Sequence, residues 1–246
     1  MTDSSPSFTD RRVIVTGASG GVGGTLVRLF RDAGAQVIGT DVVPGEGVVA
    51  CDLRDENAIT DFAGQAVADL GGLDILCNVA GVQHFARLGD ITAAELRLHT
   101  DVNLVAPMLL TQAVAPALVA SAAAGRGGNV VTIASISATF AQPYNSVYCA
   151  SKAGVLLGMR SLAIELAQQR VRVNCVSPGG IETPMPHNAA RALPADIDWS
   201  LLMKSTSAFP GFMPPADVCD AVLFLASDAA KSITGTNLVV DRGVVF

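Results

Sequence analysis

Charge is what this chain has least of. Asp, Glu, Lys and Arg make up 15% of its 246 residues, and the formal balance is −6 with a pI near 4.9. No lysine–arginine cluster offsets that balance, so a nucleic-acid partner, which usually meets a basic face, is excluded. Aromatics stand at 5%, with one tryptophan. The three histidines, His84, His99 and His187, have no ligand spacing, and no metal is expected. The five cysteines (Cys51, Cys77, Cys149, Cys175 and Cys219) are scattered, without a C-x-x-C pair. That excludes a disulfide framework and reads as buried reduced thiols in a reducing compartment. Residues 1–9 lack the basic start and apolar core of a signal peptide, which points to a cytoplasmic protein.

Apolar residues, by contrast, make up 50% of the chain, enough for a large core and too many for a disordered one. The stretch 104–125 is as long and apolar as a membrane span. Pro107, Gln112 and Pro116 interrupt it and no basic or aromatic belt flanks it, so a helix buried in the fold or against a second subunit is expected, not a membrane.

A β-branched run at 12–16 leads into TGASGGVG and then an apolar-periodic segment at 25–33. Strand, glycine turn and helix is the arrangement that binds a dinucleotide pyrophosphate on backbone amides. Gly17, Gly21 and Gly23 allow the tight turn and the close approach, although the spacing is G-x-x-x-G-x-G; otherwise this is a plain glycine turn. A second strand at 36–40 ends in Asp41, about twenty residues past the turn, where a carboxylate accepts from ribose hydroxyls or simply shapes a turn. The same carboxylate repels a 2′-phosphate, and no cation in the turn or just after Asp41 offsets it. NAD is therefore expected rather than NADP.

The remaining strands are expected at 47–51, 73–77, 130–134, 171–176 and 237–241, alternating with helices. Asp52 is placed either for an adenine amino group or for a helix-capping role near Asp55. Asn78 to Gly81 supply small residues past a strand's carboxyl end. Thr92 opens a capping box. Asn103 pins backbone or a water, or merely caps. Residues 183–215 hold proline, Trp199, Phe209, Phe212, Met185, Met203 and Met213, and read as a lid or pocket wall or else a surface excursion. Gln83, His84, Gln142 and Asn145 are candidates for polar discrimination. The expectation is α/β: a single Rossmann-type, doubly wound parallel sheet of about seven strands, helices on both faces, spanning 1–246.

Tyr148 and Lys152 stand at i and i+4 in an expected helix 145–169, on one face. A cation beside a phenol favours phenolate, so the Tyr148 pKa is expected to fall from about 10 towards neutrality, giving a proton donor and acceptor for an alcohol or ketone. Ser135 reaches the same oxygen.

In this order and spacing, TGASGGVG (16–23), Asp41, DL (52–53), NVAG (78–81), Asn103, Ser135, YCASK (148–152) and PGGIETP (178–184) resemble the short-chain dehydrogenase/reductase family over nearly the whole chain. The resemblance implies that Tyr148 is the general acid/base, that Ser135 holds the substrate oxygen and that Lys152 binds the nicotinamide ribose and tunes Tyr148. It implies that Asn103 holds a water linking the lysine to solvent. Cofactor contacts would come from Gly17, Ser19, Gly20, Gly21, Val22, Asp41, Asp52, Leu53, Asn78, Ala80, Gly81, Pro178, Gly179, Ile181 and Thr183. It further implies a homotetramer or homodimer through helices 103–124 and 146–168. The implied activity is NAD-dependent interconversion of a secondary alcohol and a ketone on a bulky hydrophobic, steroid- or terpenoid-like substrate. The alternatives are reduction of a 3-oxoacyl thioester and a non-catalytic dinucleotide sensor or assembly subunit. Three positions depart from the family pattern: Val79 where a second asparagine is usual, Gly20 where NADP users often carry arginine, and Arg242 in an Asp-Gly-Gly position.

Overall fold

The computed structural model describes residues 6–185, 193, 197–202, 208–209 and 211–244. Seven strands form one parallel sheet: β1 (Arg12–Thr16), β2 (Gln36–Asp41), β3 (Val48–Ala50), β4 (Ile75–Asn78), β5 (Gly128–Ile133), β6 (Val171–Pro178) and β7 (Asn237–Val240), in spatial order β3-β2-β1-β4-β5-β6-β7. Central strands covered on both faces need continuous apolar runs, and Val13–Val15 and Val130–Val131 supply them. The order reverses between β1 and β4, which opens a crevice at their carboxyl ends.

One face is covered by α1 (Gly21–Asp32) and a late helix; the other by α2 (Glu56–Leu70), α4 (Ala106–Ala123) and α5 (Ser146–Ala167). Before α4 comes α3 (Ala93–Thr100), which starts on the expected capping box, Thr92 accepting from the Glu95 amide at 3.2 Å. The 3₁₀ turn Ile136–Ala138 follows β5. A short α6 (Trp199–Leu202) lies in the lid region, and α7 (Pro215–Ala226) is the late helix.

Several boundaries move. Helix α1 begins at Gly21, four residues before the expected 25, because the low helix propensity of glycine hid a first turn whose amides have no side-chain cap. Strand β4 starts later than 73, while β5 starts before 130 and β6 runs past 176 to Pro178. Partners rather than propensity set those ends: Asn129 pairs with Ile75, and Pro178 pairs with Val240. Asp101–Val105 is a π-helical stretch joining α3 to α4, so Asn103 lies inside a continuous helix instead of opening one. That run and α5 are long and apolar enough to cross a membrane by length and composition, yet each lays one stripe on the sheet. Asp55, not Asp52, caps α2.

At the opposite end of the sheet, Asp74 is buried between Arg12 (2.6 Å) and Arg126 (3.0 Å) and also accepts from Ser121. Burial pushes its carboxyl upward, but these donors together outweigh that and hold it well below the usual carboxylate range.

Candidate active site

A cavity of about 740 Å³ opens where the strand order reverses. At one end lies the glycine turn. Gly17 adopts φ 68°, and a Cβ there would stand 2.9 Å from the Ala80 backbone; one on Gly23 would stand 2.1 Å from the Gly17 carbonyl oxygen. The turn is thus packed closely on backbone at Gly17 and Gly23 and on the Thr183 side chain at Gly21, and the first turn of α1 has no side-chain cap. This cradle suits a pyrophosphate, the group that a helix N-terminus holds best. Asp41 flanks it, accepting from the Ser19 amide at 3.1 Å and the Val43 amide at 3.3 Å. A nicotinamide dinucleotide fits these residues.

The cavity is lined by Gly17, Gly20, Gly21, Val22, Asp41, Asp52, Leu53, Ala80 and Gly81, and further on by Pro178, Gly179, Ile181 and Thr183. Ser135, Tyr148 and Lys152 line it as well, so the sheet brings together residues far apart in the chain. Ser19, Asn78 and Asn103 are not on its wall. Ser19 instead donates its hydroxyl to Val43 O at 2.8 Å, steadying the loop after Asp41. Asn78 is buried and donates to Thr111 and Thr132, both at 3.3 Å, tying β4 to its neighbours. Asp52 is engaged by Arg54 at 2.5 Å, so its carboxylate is already partnered.

Asn103 belongs to the wall's support. Its Oδ1 accepts from the Val82 amide at 2.9 Å, and its Nδ2 donates to Val82 O at 2.9 Å and Ser151 Oγ at 3.0 Å. Of the roles expected for this asparagine, the structure shows the pinning of backbone, in the loop after β4. The π-helical register turns this side chain inward. His99 pins the same loop: its Nε2 accepts from the His84 amide at 3.0 Å, and its Nδ1 contacts Glu95 O at 2.8 Å. Both bonds fix the neutral tautomer, and burial pushes its pKa down. The ring lies edge-on to Tyr148, with centroids 6.4 Å apart. No sequence pattern singled out His99 for this work; only its capped helix was visible.

The charge state of the tyrosine–lysine pair corrects the sequence expectation. Tyr148 is buried, and burial pushes its pKa up to about 12 against the opposing effect of the Ser135 hydroxyl. Burial also lowers Lys152 to about 8. The lysine ammonium does lie on the tyrosine's side, 5.8 Å from the ring centroid, but donates to Ile133 O at 2.9 Å. With the cation spent on a carbonyl, desolvation of the phenol dominates. Ser135 Oγ accepts from the Ser137 amide at 3.1 Å, which orients it at the start of the 3₁₀ turn.

The substrate end is apolar. Phe85, Leu98, Val102, Met185 and Phe212 line it, with Gln83, Ser137 and Gln142 as polar groups. Leu98 and Val102 are one helical turn apart, a spacing that could have found them. Of the expected lid residues, Met213 is buried in the core, whereas Trp199 and Phe209 are 62% and 65% exposed and lie off the wall. Met203 and His187 fall outside the described residues. Asn145 is buried behind the wall and donates to Gln142.

The three departures have local explanations. The Val79 and Ala80 amides both donate to Thr16 Oγ1, at 3.0 and 3.1 Å, so the loop is held by backbone and not by a second asparagine. Gly20 precedes α1 and lines the cavity. Arg242 sits at φ 56°, the region that favours glycine, and its guanidinium donates to Phe212 O at 3.2 Å and Asp217 at 3.3 Å.

A family profile described as "Enoyl-(Acyl carrier protein) reductase" matches residues 17–245. "Oxidoreductase UcpA" of Salmonella typhimurium is 31% identical, covering 96% of this chain and 95% of the relative. "Cis-4-hydroxycyclohexanecarboxylate dehydrogenase" of Sinomonas cyclohexanicum is 33% identical, covering 96% and 97%. Among solved structures, a short chain dehydrogenase from Mycobacterium paratuberculosis bound to NAD superposes with a TM-score of 0.87 at 29% identity, covering 97% of this chain and 98% of that one.

Proposed function

The chain belongs to the short-chain dehydrogenase/reductase family, and from that premise we propose that it interconverts a secondary alcohol and a ketone on a bulky hydrophobic, steroid- or terpenoid-like substrate, with NAD as its redox partner. The observation that carries this reading is one cavity with the glycine cradle and Asp41 at one end and Ser135, Tyr148 and Lys152 at the other.

Bound in that cradle, a nicotinamide dinucleotide supplies the hydride acceptor or donor. The protein's own residues handle position and protons. Ser135 donates to the substrate oxygen and holds it against the Tyr148 hydroxyl. In reduction, Tyr148 gives its proton to that oxygen, and a phenol with a pKa near 12 is fully protonated for the task at neutral pH. In oxidation the same oxygen must be a phenolate, and buried Lys152 is the cation available to stabilise it. Oxidation is therefore expected to gain as pH rises towards 8 and to lose that gain above it, where Lys152, lowered by burial to about 8, gives up its charge. Tyr148→Phe is expected to lower turnover by about 100-fold or more, the scale of a lost general acid–base, while NADH still binds by fluorescence titration. Undiminished turnover in that variant would end the proposal.

Asp41 beside the cradle supports NAD over NADP, since among the described residues the cations on the cavity wall are Arg54, paired with Asp52, and Lys152, bonded to Ile133 O. The apolar wall supports a hydrophobic substrate. Likeness to a solved 3-ketoacyl-(acyl-carrier-protein) reductase favours a second reading, reduction of a 3-oxoacyl thioester; a strong NADPH preference with 3-oxoacyl thioesters would replace the first with it. Tight NADH binding without turnover on broad alcohol and ketone panels would point to a non-catalytic sensor. The exposed apolar faces on α5 support assembly as a homotetramer or homodimer through helices 103–124 and 146–168.

A further inference from the structure

Between Ser135 and Tyr148 the chain makes a turn in which Tyr144 takes a left-handed conformation, φ 62°. The Tyr144 carbonyl accepts from the Ala86 amide at 2.8 Å, and its hydroxyl accepts from the Asp198 amide at 3.0 Å. The turn is thus tied both to the loop after β4 and to the lid region. Gln142 lies in it and lines the cavity together with Ser135 and Tyr148. Its Oε1 accepts from Ser137 Oγ at 2.8 Å and from Asn145 Nδ2 at 2.9 Å. Both donors belong to buried residues. Two donors fill the two acceptor sites of a carboxamide oxygen, and turning the amide over would set its NH2 against the NH2 of Asn145. In this orientation the Gln142 NH2 has no partner among the described residues; the Oδ1 of Asn145 is also buried without one, so only a joint turn of both amides would reverse the arrangement.

Resting on the alcohol–ketone reading above, we propose that Gln142 sets substrate choice by donating a hydrogen bond to a second, neutral acceptor oxygen on the substrate: an ester, lactone, ether or further ketone. A donor held in an otherwise apolar wall discriminates strongly, since a substrate lacking the acceptor leaves it unpaired. Neutrality follows from the charges nearby. Among the described residues, the cations on the cavity wall are Lys152, bonded to Ile133 O, and Arg54, paired with Asp52 beside the glycine end. A carboxylate at Gln142 would lose its water without gaining a counter-ion.

The test uses the full-length enzyme with NADH and three cyclohexanones substituted opposite the carbonyl, bearing a propyl group, an ethyl ester or a carboxylate. The wild type is expected to show kcat/KM about three- to tenfold higher for the ester than for the propyl ketone, the scale of one hydrogen bond, with the carboxylate the poorest. Gln142→Glu keeps an acceptor for Ser137 and Asn145 but removes the donor; Gln142→Leu removes both without adding charge. In each variant the ester-to-propyl ratio is expected to collapse to about one or below. A merely structural role would lower both ketones together and leave the ratio standing, which overturns the proposal, as does a preference for the carboxylate. Absence of turnover on all three ketones and on wider alcohol panels, with NADH still bound, overturns the alcohol–ketone reading and this proposal with it. A ratio that persists in both variants overturns the role of Gln142 alone.

Discussion

Asp41 has both carboxylate oxygens committed to backbone amides, of Ser19 and Val43, so its position is set by the loop it closes. A ribose hydroxyl meeting it would find a fixed acceptor, and a phosphate there would find a fixed negative charge. Asp41→Ala is expected to raise the KM for NAD by about 10- to 150-fold, since a hydrogen bond to a charged group contributes about 1.5–3 kcal/mol. The same change should narrow the NAD-over-NADP ratio, read by steady-state kinetics with both cofactors. A ratio that stays put would show that Asp41 only shapes its loop. At this scale the sequence was informative where chemistry depends on residue type and spacing, as with Tyr148 and Lys152. It misjudged the phenol because a pKa depends on burial and on where Lys152 spends its protons, and neither is written in a four-residue interval.

Helix α3 does its work through one side chain. His99 holds the His84 amide while its ring lies against Tyr148, so the loop after β4 and α5 share a support. The groups facing it are His84, Glu95, Tyr144 and Tyr148, from the loop, its own helix, the turn before α5 and α5 itself. Burial, with a smaller push from His84, lowers its pKa below the ordinary value of about 6.5, against the opposing pull of Glu95. Its contribution to stability is accordingly complete above about pH 6.5 and is lost as pH falls through the lowered value, where a protonated Nε2 would confront the His84 N–H. The urea midpoint of the wild type should fall between pH 7 and pH 5. His99→Leu should cost about 1–2 kcal/mol at pH 7 by leaving that amide unpaired, and should flatten this part of the pH dependence. Equal slopes in both proteins would remove the role. The capping box at Thr92 was legible in four residues; the support was not, because His84 and Tyr148 reach His99 only through the fold.

Across the whole molecule, the apolar excess that half-fills the composition is not all used inside. Leu157 and Ile164 on α5 are 69% and 78% exposed, although the helix is apolar along its length. An assembly pairing this face across a two-fold axis would bury them twice over, at about 1.5–3 kcal/mol for each fully buried side chain. If the chain assembles through this face as proposed, Leu157→Glu combined with Ile164→Glu is expected to give monomers by light scattering, with the far-ultraviolet spectrum unchanged. An unaltered mass would place the interface elsewhere.

The order of strands and helices, the glycine turn, the acid that ends β2 and the tyrosine and lysine proposed for proton transfer were all legible in local sequence, because periodicity, turn chemistry and residue type are short-range properties. What only the tertiary structure decided was which groups meet: Asn103 on the Val82 backbone, Asp52 on Arg54, Trp199 and Phe209 off the wall, and Gln142 with its oxygen held and its NH2 unpartnered among the described residues. Those outcomes follow from close packing between segments far apart in the chain, where burial and hydrogen-bond accounting choose among partners that spacing alone leaves equal.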